Sequence, residues 1–124
     1  SYRIALKPEN LDVITKAMVE VNKSGTASKV FAGTPYLVAG KTGTAQVFSL
    51  KGKDYGSMGV SEFKRDHALY IAFAPADKPK YAIALVVENA GFGASAAAPI
   101  VREALDYLIL DQWPGGVPAW KSVP

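Results

Sequence analysis

Apolar residues recur at intervals of three and four positions in two segments of the chain, residues 8–22 and residues 96–111. In the first segment these positions are Leu11, Ile14, Met18 and Val21. This spacing is typical of a helix with one buried face. Pro8 and Pro99 lie near the starts of the segments, where a missing backbone N–H is tolerated. We therefore predict an N-terminal helix over 8–22 and a C-terminal helix over 96–111.

Three segments between these helices are predicted to be β-strands. Residues 36–48 are enriched in β-branched and aromatic residues, which favour strands. Residues 67–74 and 81–88 form two more, and the last is almost wholly apolar, as expected of a central strand. The turn over residues 75–80 contains two prolines and joins the last two strands as an antiparallel hairpin. Residues 49–66 are polar without a steady period, and we predict a long loop there.

The order of these elements predicts an α+β fold. One face of a three-stranded antiparallel sheet would pack against the N-terminal and C-terminal helices, with shorter loops over residues 23–35 and 89–95. The other face and one edge of the sheet would stay uncovered, which is a liability unless further chain covers them. We expect residues 1–124 to be one portion of a domain that ends in a loose tail over about 112–124.

Composition narrows the classes of function. The 124 residues carry a net charge of +3, too small and too dispersed to predict nucleic-acid binding. The absence of cysteine excludes disulfides and thiolate chemistry, and we predict neither a metal nor a cofactor. No apolar stretch approaches the roughly 18 residues of a membrane span. The chain begins at Ser1 without a signal-peptide pattern, and we expect a soluble piece of a longer protein.

The stretch Gly40-Lys41-Thr42-Gly43-Thr44 carries the candidate chemistry. In isolation, Lys-Thr-Gly is also compatible with an ordinary strand that carries a solvated lysine. A phosphate-binding loop would need glycine where Pro35 stands, and it would open a helix and not a strand. Nucleotide binding is the nearest competing class of function, and we therefore reject it.

The same residues suit a serine acyl-transfer site. Lys41 offers a cation for a substrate carboxylate, and Thr42 and Thr44 offer hydroxyls. Gly43 leaves room for substrate, and an edge strand offers backbone N–H donors to an oxyanion. Strict alternation would place Lys41 and Thr42 on opposite faces. The sequence leaves open whether strand twist at Gly43 or the length of the lysine resolves this.

Five short stretches, spread in order along the chain, carry a wider resemblance. They are Ser24-Gly25-Thr26-Ala27, Lys41-Thr42-Gly43-Thr44-Ala45-Gln46-Val47-Phe48, Arg65-Asp66-His67, Ala72-Phe73-Ala74-Pro75 and Glu88-Asn89-Ala90-Gly91. The chain thereby resembles the elongation-type penicillin-binding protein 2 family of Gram-negative bacteria, a class B group. The run that begins at Lys41 is the most specific of the five.

This resemblance implies the penicillin-binding and serine β-lactamase-like fold. It also implies a peptidoglycan D,D-transpeptidase that cross-links stem peptides ending in D-Ala-D-Ala and is acylated by β-lactams. Lys41 would be the motif lysine, Thr42, Gly43 and Thr44 would bind the substrate carboxylate, and the backbone N–H of Thr44 would be an oxyanion-hole donor. The parent protein would be anchored at the periplasmic face of the inner membrane and work with the cell-elongation machinery.

The chain departs from the family pattern in its nucleophile. The family carries Ser-x-x-Lys and Ser-x-Asn motifs upstream of Lys-Thr-Gly, and neither stands there in this sequence. The one Ser-x-x-Lys, Ser61-Glu62-Phe63-Lys64, lies downstream in the predicted loop. His67 beside Asp66 suggests a triad, but the family does not use histidine in this way, and we predict a structural role. We therefore expect this chain to lack a nucleophile and to be inactive alone.

Two further expectations follow from the missing part of such a domain. The chain would cover about its last third, so the absent strands and helical lobe would leave apolar surface bare. That surface favours a homodimer or strand exchange. The alternative function is a non-catalytic module that binds cell-wall peptide or acts as a scaffold.

Overall fold

The computed structural model describes residues 1–47 and 65–116. These residues form three α-helices, one wide helical turn and three strands. In chain order they are α1 (Pro8–Lys23), α2 (Ser28–Phe31), β1 (Ala39–Ala45), β2 (His67–Ala74), β3 (Tyr81–Val87), the π-helical turn (Gly93–Ala97) and α3 (Ala98–Leu110). The predicted α+β class is confirmed.

The sheet is antiparallel throughout, with β2 between β1 and β3. Thr42 of β1 lies opposite Tyr70, and Tyr70 lies opposite Leu85 of β3. Residues alternate between buried and more exposed positions along β2, as the pleat requires. The predicted strand 67–74 is confirmed at both ends, and β3 is one residue shorter than predicted.

The predicted first strand, 36–48, is too long, because other groups take the backbone bonds at its ends. The Leu37 carbonyl accepts from Ala76 N at 2.8 Å, and the Val38 carbonyl accepts from the Asn22 side chain at 2.9 Å. At the other end, Val47 N donates to Asp66 Oδ1 at 3.0 Å. A ladder bond and these bonds compete for the same groups. Phe48, the last residue of the prediction, lies outside the described residues.

Helix α2 contradicts the prediction of a continuous loop over 23–35. It is only one turn long, too short to show a periodic stripe. Arg102 of α3 donates through Nη1 to the carbonyl oxygens of Val30 at 2.9 Å and Ala32 at 3.2 Å. These contacts satisfy carbonyl groups that a helix end leaves without intrahelical partners. The end of this helix is therefore bonded to a residue about seventy positions away.

Helix α3 covers the face of the sheet that carries the buried β2 side chains. Ala98, Val101 and Leu105 are fully buried in this core. The alanines of β2 leave room for the helix, and the Phe31 ring stacks on Tyr70 with centroids 5.8 Å apart. Burying a side chain such as Leu105 contributes about 1.5–3 kcal/mol. The predicted 96–111 helix begins later than expected as α-helix, because residues 93–97 form the wider turn.

Helix α1 lies beside the start of β1 and contacts both faces of the sheet. Val19 packs with Ala39 and Phe73 on the face opposite α3. Asn22 reaches Tyr70 on the α3 face. The expectation that both helices cover one face is therefore correct for α3 and incomplete for α1.

The second face of the sheet is largely uncovered within residues 1–47 and 65–116. Ile71 is 51% exposed and Val86 is 56% exposed, and Ala82 and Ala84 on the same face are also exposed. The predicted loop 49–66 falls outside the described residues except for its last two positions. Residues 112–116 follow α3 without helix, and Trp113 packs edge-on against Tyr107 with ring centroids 4.5 Å apart.

A buried hydrogen-bonded pair connects α1 to the sheet. The Tyr70 hydroxyl donates to Asn22 Oδ1, and Asn22 Nδ2 donates to the Val38 carbonyl at 2.9 Å. Among the described residues, no buried side-chain nitrogen or oxygen lacks a partner. A buried polar group without a partner costs about 1–3 kcal/mol, so each member of this pair depends on the other.

We expect Tyr70 to make stability fall at high pH. Burial raises the pKa of Tyr70 to about 12 from 10.0, against a smaller lowering by the Asn22 hydrogen bond. The folded state therefore holds the proton more tightly. The neutral Tyr70 hydroxyl therefore contributes roughly 2–3 kcal/mol to the free energy of unfolding. This contribution is complete below pH 10 and is lost as the pH rises to 12.

Unfolding free energies of the wild type and Tyr70→Phe between pH 8 and 12 test this prediction. The unfolding free energy of Tyr70→Phe should fall less steeply with pH than that of the wild type. Tyr2→Phe, which changes an exposed tyrosine, should keep the wild-type slope. Equal slopes in all three proteins contradict the prediction.

Candidate active site

The predicted site residues Lys41, Thr42, Gly43 and Thr44 all lie in β1. Among the described residues, β1 pairs only with β2, so its other side is an open edge. Lys41 and Thr44 are exposed, whereas Thr42 and Gly43 are partly buried. The structure therefore brings these residues together along one exposed margin of the sheet.

Gly93 packs closely against the backbone of β1 and β2, and this contact shows which backbone groups of β1 face the open edge. A Cβ atom added at Gly93 would lie 2.7 Å from the Gly43 carbonyl oxygen and closer still to the Leu69 carbonyl oxygen. Both oxygens therefore lie between the two strands, as they do in a hydrogen-bonded pair of an antiparallel ladder. Since neighbouring residues alternate, the N–H and C=O groups of Thr42 and Thr44 point to the open edge.

The length of the lysine resolves the alternation that the sequence left open. Lys41 lies opposite exposed Ile71, and Thr42 lies opposite buried Tyr70, so the two side chains leave the strand on opposite faces. Lys41 Nζ nevertheless donates to the Thr42 carbonyl oxygen at 2.8 Å. The ammonium group thus turns to the same open edge as the backbone of Thr42.

Thr26 lies beside the candidate site, although the sequence supplied no role for it. Its Oγ1 lies 3.4 Å from Thr42 Oγ1. The loop after α1 approaches the helix so closely at Gly25 that an added Cβ would lie 2.8 Å from the Val21 Cα. The available signal was the Ser24–Ala27 stretch, which matched the family pattern but gave no indication that it would lie beside β1.

The charge on Lys41 is not neutralised within the described part of the chain. The ion pairs found there are Lys16 with Asp12 at 2.7 Å and Arg102 with Asp106 at 2.8 Å, both between helical residues four positions apart. A cation at an open strand edge with outward backbone N–H groups, on a strand that also carries threonine hydroxyls, is suited to an incoming carboxylate. The arrangement offers anion binding and carbonyl polarisation, and it contains no base–nucleophile pair.

Asp66 and His67 support the structure around the site. His67 Nδ1 accepts from Asn89 N at 2.9 Å, and Asn89 Nδ2 donates to the Arg65 carbonyl at 3.0 Å. The Asp66 carbonyl accepts from Gly91 N at 2.9 Å. These bonds fix the turn after β3, which leads to the Gly93 contact. The structural role predicted for His67 is confirmed.

The remaining candidates add no chemistry to the described region. The Ser61–Lys64 motif lies outside the described residues. Among the residues that are described, no group of three or more histidines or carboxylates has the arrangement of a metal site. No described helix combines the length and apolar character needed to cross a bilayer.

Comparison with known proteins identifies the family. A family model of the penicillin-binding protein transpeptidase domain matches residues 3–106. The chain therefore belongs to this family, and the resemblance found in its sequence is confirmed. Peptidoglycan D,D-transpeptidase MrdA of Haemophilus influenzae is 47% identical over 92 residues, and MrdA of Escherichia coli K12 is 46% identical over 88 residues. These matches cover 73% and 70% of this chain but only 14% of each relative.

Solved structures of the same family share the fold. Pseudomonas aeruginosa PBP2, in complex with WCK 5153, matches with a TM-score of 0.71 and 38% identity, over 98% of this chain and 24% of that chain. Helicobacter pylori PBP2, in complex with MreC, matches with a TM-score of 0.62 and 34% identity, over 85% of this chain and 19% of that one. The chain thus corresponds to a minor part of each relative.

Proposed function

We propose that this chain is the C-terminal portion of the transpeptidase domain of a peptidoglycan D,D-transpeptidase of the penicillin-binding protein 2 type. It supplies the Lys-Thr-Gly-Thr wall of the active site. The observation that carries this proposal is the open edge of β1, where the Lys41 ammonium group and the outward backbone groups of Thr42 and Thr44 lie. The Thr42 hydroxyl lies beside Thr26 on the other face of the strand, and Lys41 has no ion pair with a described carboxylate.

The substrate carboxylate is assigned to the hydroxyl side of this edge. Lys41 attracts the anion, and Thr42 and Thr44 donate hydrogen bonds to it. Thr26 shares the task through its contact with Thr42. Gly43 lies on the same face of β1 as Lys41, where an added Cβ would be crowded against Leu69 Cβ at 3.3 Å, and its lack of a side chain leaves that face open to substrate. Charge-assisted hydrogen bonds of this kind are roughly twice as strong as neutral ones.

The substrate carbonyl that reacts is placed beside the backbone N–H of Thr44. The serine nucleophile belongs to a part of the longer protein that this chain does not contain. It attacks the carbonyl carbon of the penultimate D-alanine, and the developing oxyanion accepts a hydrogen bond from Thr44 N–H. The C–N bond breaks, D-alanine leaves with a proton, and an amine of a second stem peptide then attacks the ester and releases the serine. A β-lactam enters at the first step, through opening of its ring amide.

The partners follow from this assignment. The substrates are D-Ala-D-Ala stem peptides, the inhibitors are β-lactams, and the full-length protein works at the periplasmic face of the inner membrane. A partnership with the cell-elongation machinery is supported by the solved complex of H. pylori PBP2 with MreC. Homodimerisation of the isolated chain, through the uncovered sheet face, stays a prediction that light scattering of the chain tests.

Labelling with a fluorescent penicillin tests the function. We expect covalent label on the full-length protein, competed by unlabelled penicillin, and no label on the 124-residue chain alone, because the chain lacks the nucleophile. Label on the isolated chain contradicts the assignment of the nucleophile. An unlabelled full-length protein that still binds a D-Ala-D-Ala peptide supports the alternative, a non-catalytic cell-wall peptide-binding module.

A further inference from the structure

We propose that Asn22 and Tyr70 are positioning residues for Lys41, and that glycine is required at position 40 because Tyr70 occupies the space of a side chain there. This inference rests on the proposed function, since it concerns the rate at which the Lys41 site reacts. It adds three residues, none of which touches the substrate, to the set that determines that rate.

The first observation is the path of the buried hydrogen bonds. Asn22 is 6% exposed and Tyr70 is fully buried. From this one point, Asn22 binds the carbonyl of Val38, just before β1, and the hydroxyl of Tyr70 on β2. Asn22 is therefore bonded from α1 to β2 and to the residue that precedes β1, so the helix sets how the start of β1 lies relative to β2.

The second observation is the contact beneath Gly40. A Cβ atom added at Gly40 would lie 2.7 Å from Tyr70 Cζ, nearer still to the hydroxyl oxygen, and 3.0 Å from Asn22 Nδ2. Tyr70 lies opposite Thr42 in the register, so its ring extends diagonally under the strand to reach Gly40. The backbone of β1 thus rests on the tyrosine hydroxyl one residue before Lys41.

These two contacts determine where the reactive part of β1 lies. Lys41 and Thr44 are exposed, whereas Gly40 is buried. The position of the Lys41 backbone is therefore set by Tyr70 and Asn22, which contact β1 on its buried face. A displacement of about 1 Å of a catalytic constellation can cost about a hundredfold in rate. Side-chain size at positions 40 and 70 should accordingly appear in the acylation kinetics.

A double-mutant cycle in the full-length protein tests the inference. The variants are Gly40→Ala, Tyr70→Met and the double variant, with Tyr107→Met as a control for loss of a tyrosine away from the site. For each, the measurements are the rate constant of acylation at saturating fluorescent penicillin, corrected for the folded fraction, and the melting temperature. The correction matters because a merely structural role would change the folded fraction and leave the rate of the folded protein unchanged.

We expect Gly40→Ala to slow acylation of the folded protein by about tenfold or more, because the new methyl group lifts the strand. Tyr70→Met should have a smaller effect. The double variant should react within about threefold of Tyr70→Met, since a flexible methionine leaves space for the methyl group. Tyr107→Met should match the wild type. Asn22→Asp, which can accept from Tyr70 but cannot donate to Val38 when ionised, should also slow acylation.

The outcomes separate this inference from the proposed function. If the wild-type protein takes no label, the proposed function is overturned. If the wild type is labelled and folded Gly40→Ala reacts at the wild-type rate, positioning is overturned while the function stands. A double variant with the full, additive losses of both single changes overturns the claim that residues 40 and 70 share one space. A Gly40→Ala protein too unstable to assay leaves the double variant as the deciding measurement: its recovery supports the inference and its failure to fold overturns it.

Discussion

Replacing Gly93 with alanine is expected to destabilise the fold by about 3 kcal/mol or more, at the upper end of what overpacking costs. The added Cβ would lie 2.7 Å from the Gly43 carbonyl oxygen, 3.1 Å from Gly43 N and closer still to the Leu69 carbonyl. These are backbone atoms of two paired strands, so none can rotate away as a flexible side chain could. The strands must separate or the π-helical turn must rise from the sheet. Denaturant unfolding of the chain measures the loss.

Gly91, two residues before the π-helical turn, provides a matched control. Its φ is +89°, and an added Cβ would meet no atom within 4 Å. Gly91→Ala therefore carries only the left-handed backbone penalty of about 1–2 kcal/mol. Equal losses for the two variants would mean that close packing at Gly93 is unimportant. A larger loss for Gly93→Ala would also predict slower acylation of the full-length protein, because Gly43 lies in the middle of the site strand.

The elements that the sequence predicted best are those whose pattern is local. The bounds of β2 match the prediction because the proline-containing turn that follows it ends the strand. Helix α1 matches within one residue because its apolar residues repeat at helical spacing, but Leu11 and Ile14 of that stripe are exposed and the buried residues are Val19 and Asn22. The ends of β1 could not be predicted. They are set by an asparagine on α1 and an aspartate before β2, both more than fifteen positions away. Helix α2 was not predicted for a similar reason, since Arg102 of α3 donates hydrogen bonds to carbonyl groups at its end.

The features of the candidate site also divide into those that the local sequence predicts and those that depend on tertiary contacts. A candidate site at Lys41 and Thr44 was predictable from the sequence, because a cation, hydroxyls and glycine occur together in one stretch. The direction of the ammonium group was not, since it depends on a bond to the Thr42 carbonyl at an open edge. Thr26 and Gly93 were missed as site neighbours because each reaches β1 through tertiary packing between segments distant in the sequence. Residue spacing contains no information about such contacts.

Replacing Lys41 with alanine is expected to slow acylation of the full-length protein by about 10²- to 10³-fold. The physical reason is the charge. An ammonium group about 4 Å from a carboxylate contributes roughly 4 kcal/mol near a protein surface, and every 1.4 kcal/mol is about tenfold in rate or affinity. Lys41 makes no ion pair with a described residue that would reduce this contribution. The second-order rate constant of labelling by fluorescent penicillin measures the effect.

The matched control is Lys80→Ala, which removes another exposed lysine, from the turn between β2 and β3. It changes the net charge by the same amount, so it should retain the wild-type rate if the effect of Lys41 is local. Raising the salt concentration should weaken labelling of the wild type and of Lys80→Ala more than that of Lys41→Ala, since screening acts on the interaction that the last variant has lost. Rates that fall equally in both lysine variants would assign the loss to overall charge. A Lys41→Ala protein that reacts at the wild-type rate would remove the lysine from the site and leave the hydroxyls and backbone of β1 to bind the carboxylate unaided.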